Sequence, residues 1–190
     1  MIRTFSSFLL LSIFLFSSSV FAESSSNNPI VIMKTSKGDI TLELYPQQAP
    51  ITVANFLDYA QSGFYNDTIF HRVIKRFMIQ GGGFTRDLNR KETKAEIINE
   101  SGNGLHNDRW TIAMARTNDP DSASSQFFIN TKMNSSLDAR GQNAGYAVFG
   151  MVIDGQHVVK AIEKTPTAKI GMYSDVPVEP VIIQSVTVKK

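Results

Sequence analysis

Phe70-His71-Arg72-Val73-Ile74, followed closely by Phe77-Met78-Ile79-Gln80-Gly81-Gly82-Gly83, is the stretch on which the reading of this 190-residue chain turns. The first run alternates as a strand does, which predicts Phe70, Arg72 and Ile74 on one face and His71 and Val73 on the other. An arginine facing the same way as a phenylalanine and an isoleucine describes a site that is apolar yet holds a permanently charged donor fork. An edge strand that keeps the Arg72 head in water would give the same pattern, and the run itself leaves both open. Gly81, Gly82 and Gly83 read as a bulge or a tight corner of a barrel, because no G-x-G-x-x-G or Walker pattern surrounds them.

Working outward toward the N-terminus, Arg3 precedes a short apolar run, Phe8–Phe16, and then serines lead to Val20-Phe21-Ala22. A basic start, a short apolar centre and small residues at the end predict a cleaved signal peptide over residues 1–22, with cleavage after Ala22. The run falls short of the roughly 20 apolar residues that span a bilayer. Residues 23–29 are expected to be a disordered leader, and residues 30–190 a single domain. Removing residues 1–22 leaves 168 residues and takes the formal net charge from +2 to +1. That length holds a real core, and the remaining apolar segments are too short for stable membrane insertion. A near-neutral balance with scattered cations is unlike a nucleic-acid surface. With no cysteine, disulfides, thiol catalysis and thiolate metal sites are excluded.

Ile30–Thr35 and Asp39–Leu44 read as strands joined through the Ser36-Lys37-Gly38 turn. Pro50 starts a helix in which Val53, Phe56, Leu57 and Ala60 form one apolar stripe, and Gly63 stops it. Further strands are predicted at Thr68–Ile74, Phe77–Gln80, Thr111–Ala115, Gln126–Asn130, Tyr146–Val152 and Val181–Val188. A second helix runs from about Gly155 to Lys164, with Val158, Val159 and Ile162 inward and Asp154 as its cap. Many short strands, two helices and no α/β alternation indicate a mainly β fold, a closed antiparallel barrel with helices over its ends. The irregular Thr85–Arg109 is long enough to mark a functional or mobile segment.

Together with Phe70–Ile74 and Phe77–Thr85, the blocks Ala113-Met114-Ala115-Arg116, Ser125-Gln126-Phe127-Phe128-Ile129 and Ala147-Val148-Phe149-Gly150 strongly resemble the cyclophilins, which are peptidyl-prolyl cis–trans isomerases. The likeness runs from about Ile30 to Val188, and several blocks in one order are far more specific than any lone motif. With the signal peptide, the chain looks most like the periplasmic members from Gram-negative bacteria. The resemblance implies an eight-stranded antiparallel barrel capped by two helices, no cofactor, and proline-containing exported polypeptides as substrates. A monomer is expected.

Residue by residue, the resemblance makes Arg72 the catalytic arginine, with His71 and Gln80 as polar residues of the same groove. Phe77, Met78, Phe128 and Leu137 match the pocket for the proline ring. Ala115, Arg116 and Thr117 match the stretch that pairs with the substrate backbone, and Gln126 lines the adjoining groove. Two positions depart from the family. Ser136 stands where members that bind cyclosporin tightly carry tryptophan, which implies weak binding of that drug. Tyr146 stands where many members have histidine, which keeps an aromatic wall. The sole tryptophan, Trp110, reads as packing.

Other classes are less well supported by the residues. A hydrolase lacks G-x-S-x-G, and no marked base accompanies Ser124-Ser125. His71, His106 and His157 fit no metal-ligand spacing. A proline-peptide-binding chaperone of the same fold, without catalysis, is the remaining alternative; the joint presence of Arg72, Phe77 and Gln80 weighs against it.

Overall fold

The computed structural model describes residues 28–189, so the signal peptide predicted over residues 1–22 and most of the predicted leader lie outside the described residues. The Pro29 carbonyl already accepts a hydrogen bond from Leu44 N at 3.0 Å. Eight strands close into the expected antiparallel barrel: β1 (Ile30–Thr35), β2 (Gly38–Leu44), β3 (Thr68–Ile74), β4 (Met78–Thr85), β5 (Thr111–Met114), β6 (Phe127–Asn130), β7 (Val148–Asp154) and β10 (Ile182–Val188). Around the barrel the order is β1-β10-β3-β4-β6-β5-β7-β2. Two more strands, β8 (Thr167–Ile170) and β9 (Tyr173–Pro177), form a hairpin packed on β3. The sequence reading missed this hairpin. Every residue of β8 is exposed, so no alternation of apolar and polar residues marks it.

Helix α1 (Pro50–Gln61) has Pro50 in its first turn as predicted, and buries Val53, Phe56, Tyr59 and Ala60. Its N-terminus is capped from a distance. Both Glu100 carboxylate oxygens accept from Ile51 N (3.1 Å) and Thr52 N (2.8 Å), and the Thr52 hydroxyl adds a third bond at 2.6 Å. Free N–H groups at a helix start attract a carboxylate. The long connection after β4 is thus fastened to the domain, with Lys94 N also donating to the Tyr59 hydroxyl at 2.8 Å. Helix α2 (Gln156–Glu163) turns Val158, Val159 and Ile162 inward. Asp154 is not its cap. Gly155 holds that position, and the Asp154 carboxylate instead accepts from Gly155 N at 2.8 Å.

The main core fills the barrel, and its aromatics meet edge to face: Phe56 and Phe127 at 5.7 Å, Tyr65 and Phe127 at 5.6 Å. Tyr65 is fully buried, and its hydroxyl donates to the Ser125 carbonyl at 3.0 Å. Burial, reinforced by Tyr59, holds its pKa well above the ordinary tyrosine value. It therefore serves as a neutral donor.

The alternation predicted for Phe70–Ile74 fails at one place. Phe70 pairs with Gly81 while Arg72 pairs with Gln80, so two steps on β3 oppose one on β4. His71 is the extra residue of a bulge. Phe70 consequently turns into the main core beside Val73, while Arg72 and Ile74 face away from it. The glycines belong to the same irregularity, as expected. Gly82 has φ +81°, and a Cβ there would lie 2.8 Å from the Phe127 ring, so a side chain would push into the core.

Candidate active site

Successive residues of a strand point to opposite faces, and β6 uses both. Phe127 and Ile129 belong to the main core, whereas Phe128 joins Met78, Ala113 and Val148 in a second, smaller cluster. Met78 and Phe128 of that cluster line a cavity of about 110 Å³. Met78 and Phe128 rise from strands, while Phe77, Leu137 and Tyr146 stand on connections between strands and complete the apolar walls. Leu137 ends a single 3₁₀ turn, Ser135–Leu137. The Tyr146 ring meets Phe128 at 5.6 Å with planes 79° apart, an edge-to-face contact. Arg72, Gln80, Ala115 and Arg116 close the polar side.

The structure therefore brings together nine of the residues proposed from sequence. Thr117 and Gln126 line an adjoining groove of about 230 Å³ instead, which Gln80, Ala115 and Arg116 share with the proline-sized cavity. Gln80 Nε2 donates to Gln126 Oε1 at 3.0 Å, so the two amides are held as a pair between the cavities. Arg90, Ser122 and Ser124 also border this groove. Sequence reasoning missed them, because nothing in a polar loop marks which residues return to the site.

His71 does not line the apolar cavity. It faces a neighbouring hollow with Arg72, Phe84, Gln126 and Tyr173, and its ring centroid lies 4.5 Å from that of Phe84 with the planes tilted by 51°. Burial lowers its pKa to about 4; the Ile69 carbonyl and Gln126 oppose the shift, and the Arg72 charge adds to it. His71 is therefore neutral at physiological pH, with Nδ1 buried and lacking a partner of good hydrogen-bond geometry. Across the same hollow, Asp175 Oδ2 lies 3.9 Å from Arg72 Nε, with both side chains about two-fifths exposed (42% and 41%). A pair so long and wet contributes little to stability, and the guanidinium remains free to meet a ligand.

Arg116 has a job that its position did not reveal. Its guanidinium donates to the carbonyls of Gly145 (3.1 Å), Thr117 (2.8 Å) and Ala144 (2.7 Å), and lies 4.6 Å from the Tyr146 ring centroid. The side chain braces the aromatic wall. Nearby backbone donors are mostly engaged: Ala115 N donates to Gln126 O at 2.9 Å, and Thr117 N to the Ser122 hydroxyl at 2.9 Å. Among the described residues, Arg116 N has no acceptor. Trp110 is remote from the cavity, packing on the main core beneath the Arg109 guanidinium at 4.3 Å. Among the described residues there is no group of three or more His, Cys, Asp or Glu side chains that could hold a metal ion, and no helix long and apolar enough to cross a membrane.

A closed eight-stranded barrel with an arginine-edged apolar cavity on its outer face is an architecture that can be compared directly. The family described as cyclophilin type peptidyl-prolyl cis-trans isomerase/CLD matches residues 30–188. The chain is 55% identical over 162 residues to a peptidyl-prolyl cis-trans isomerase of Acinetobacter baylyi, covering 85% of this chain and 86% of that one. It is 52% identical over 164 residues to peptidyl-prolyl cis-trans isomerase B of Escherichia coli, covering 85% and 100%. Among solved structures, a cyclophilin type isomerase of Cryptosporidium parvum, crystallised in the presence of the dipeptide Ala-Pro, matches with a TM-score of 0.70 at 31% identity. That match covers 85% of this chain and 99% of that one. The chain belongs to the cyclophilin-type peptidyl-prolyl cis–trans isomerases.

Proposed function

We propose that this chain accelerates rotation about X-Pro peptide bonds in exported polypeptides, acting in the periplasm after its signal peptide is removed. The observation that carries the reading is the position of Arg72, a fixed cation on the polar side of a cavity whose apolar walls are Phe77, Met78, Phe128, Leu137 and Tyr146. Amide resonance sets a rotational barrier of roughly 18–20 kcal/mol, and uncatalysed exchange takes tens to hundreds of seconds, slow enough to limit folding. No bond is made or cut, so the reaction needs no nucleophile.

The apolar walls take the proline ring and exclude water. As the bond twists, the proline nitrogen loses conjugation and becomes a better acceptor. A donor aimed there stabilises the transition state more than the ground state, which is the requirement for catalysis. Arg72 supplies that donor. The unengaged Arg116 N–H and the Gln80 amide hold the flanking backbone, so that one side of the bond turns while the ring stays. His71, neutral and buried behind Arg72, keeps a second positive charge away from the guanidinium.

A proline-peptide isomerisation assay on the wild-type protein and Arg72→Ala tests this reading. Turnover that depends on Arg72 supports it. Binding of proline peptides without turnover would assign the chain to a non-catalytic chaperone.

A further inference from the structure

Phe77, Leu137 and Tyr146 stand on loops, and loops position side chains less exactly than strands do. Beneath them runs a chain of side-chain amides that the mechanism above does not use. Asn134 Nδ2 donates to the Phe77 carbonyl at 2.8 Å and to Asn130 Oδ1 at 2.7 Å. Asn130 Nδ2 donates onward to Asn107 Oδ1 at 3.2 Å and to the Thr111 hydroxyl at 3.0 Å. Asn107 Nδ2 in turn donates to Asp138 Oδ1 at 3.0 Å and to the Tyr146 carbonyl at 3.4 Å. Asn107, Asn130 and Asn134 are all at least 97% buried.

The backbone closes the circuit. Asn134 N donates to Asn107 O, Leu137 N to Asn134 O, and Tyr146 N to Leu137 O, each within 2.9 Å. Gly145 lies so close to this turn that a Cβ there would sit 2.6 Å from the Leu137 carbonyl. Phe77, Leu137 and Tyr146 are thus tied to one network, and all its amides point the same way, toward a carboxylate. Such head-to-tail chains polarise one another in a low-dielectric interior. Burial raises the Asp138 pKa, but bonds from Asn107 and His106 outweigh it and hold the carboxyl below its ordinary value. The terminal acceptor is therefore ionised at neutral pH.

We propose that the Asn134–Asn130–Asn107 amide chain, ending on Asp138, is the positioning device of the cavity: it fixes Phe77, Leu137 and Tyr146 at the spacing that grips a proline ring. The proposal rests on the isomerase reading and names the part of the chain that sets its affinity. The amides do not touch the substrate. They set the spacing of walls that contact the ring equally in the ground and transition states, so their loss appears in KM rather than kcat.

The experiment measures kcat and KM for an Ala-Pro-containing tetrapeptide, together with the Kd of the Ala-Pro dipeptide by NMR titration. The proteins are wild type, Asn134→Ala, Asn107→Ala and the double variant, each checked for a native amide spectrum. Each single variant is expected to raise KM and Kd roughly five- to tenfold, the scale of one buried hydrogen bond, with kcat within about twofold. The double variant should resemble the singles, because both break one chain. Folded variants with unchanged KM and Kd, or with a fall confined to kcat, overturn the proposal.

Should the alanine variants not fold, Asn134→Ser is read in the same way; if it too is unfolded, the chain serves the fold alone and the proposal falls. A wild-type protein that binds Ala-Pro without turning over the tetrapeptide sinks the isomerase reading only, leaving the amide chain to be judged on Kd. A wild-type protein that does neither overturns both.

Discussion

Gln80 stands directly across the β3–β4 ladder from Arg72, and both side chains border the same cavity. The bulge at His71 creates this pairing, because without the extra residue Phe70 and Arg72 would share a face. Two donors are thereby fixed by backbone hydrogen bonds on adjacent strands, one charged and one neutral.

Replacing Arg72 by alanine is expected to lower kcat/KM for an X-Pro peptide by about 10²–10³, the scale of losing one transition-state donor. The fold should persist, since Arg72 is about two-fifths exposed (42%) and forms only the long pair with Asp175. Lysine should rescue poorly, because a flexible point charge does not reproduce a planar fork. Wild-type activity in the alanine variant would remove Arg72 from the mechanism.

Turnover is expected to be flat from about pH 6 to 9. A guanidinium keeps its charge over that range, and His71, lowered to about 4, has already lost its proton. A general acid–base histidine near its ordinary value of about 6.5 would instead give a clear inflection. A kcat/KM profile with such a step, removed by His71→Gln, would favour that rival mechanism.

The same histidine predicts how stability responds to acid. Its pKa is lower folded, about 4, than unfolded, about 6.5, so between those values the unfolded state binds more protons. Stability contributed by the neutral ring is complete above about pH 6.5 and is lost as pH falls toward 4, by about 3 kcal/mol in all. Urea midpoints measured across that window should fall more steeply for wild type than for His71→Gln. Parallel curves would contradict the assignment.

Glu100→Ala should destabilise the domain by about 1–3 kcal/mol, since it leaves Ile51 N and Thr52 N at the start of α1 without their charged acceptor. For a domain of this size the melting temperature would drop by about 2–4 °C per kcal/mol. Glu100→Gln, which keeps an acceptor but not the charge, should fall between. A thermal melt of Glu100→Ala matching wild type would show that water replaces the cap at no cost.

Cyclosporin is expected to bind weakly. Ser136 is exposed on the 3₁₀ turn beside Leu137 and offers neither the apolar wall nor the indole donor of a tryptophan. Losing a well-packed interface aromatic commonly costs about 2 kcal/mol, roughly thirtyfold in affinity. Ser136→Trp should strengthen inhibition at least about tenfold without a matching gain in kcat/KM. Nanomolar inhibition of the natural sequence would show that other groove residues set the affinity.

Features that depend on short-range patterning and composition were legible in the residues alone. Short apolar runs bounded by turn residues located all eight barrel strands, and the stripe of Val53, Phe56 and Ala60 located α1, because a strand and a helical turn are each written within a few residues. The resemblance of ordered blocks then placed Arg72, Phe77, Met78, Gln80, Phe128 and Leu137, all of which border one cavity. Tertiary structure decided what depends on partners distant in sequence. Phe70 left the face of Arg72 because β4 offers one residue where β3 has two. His71 turned instead toward the hollow beside the site, and Arg116 became a brace because Ala144 and Gly145 return beside it. Glu100 caps a helix some fifty residues earlier in the chain, and Asn107 meets Asn130 and Asn134 only when the connection before β5 returns beside the end of β6. Each of Glu100, Asn107, Asn130 and Asn134 is an unremarkable polar residue in sequence. Its function is set by which backbone groups the closed barrel leaves unpaired within its reach, and barrel closure is a property of the whole chain.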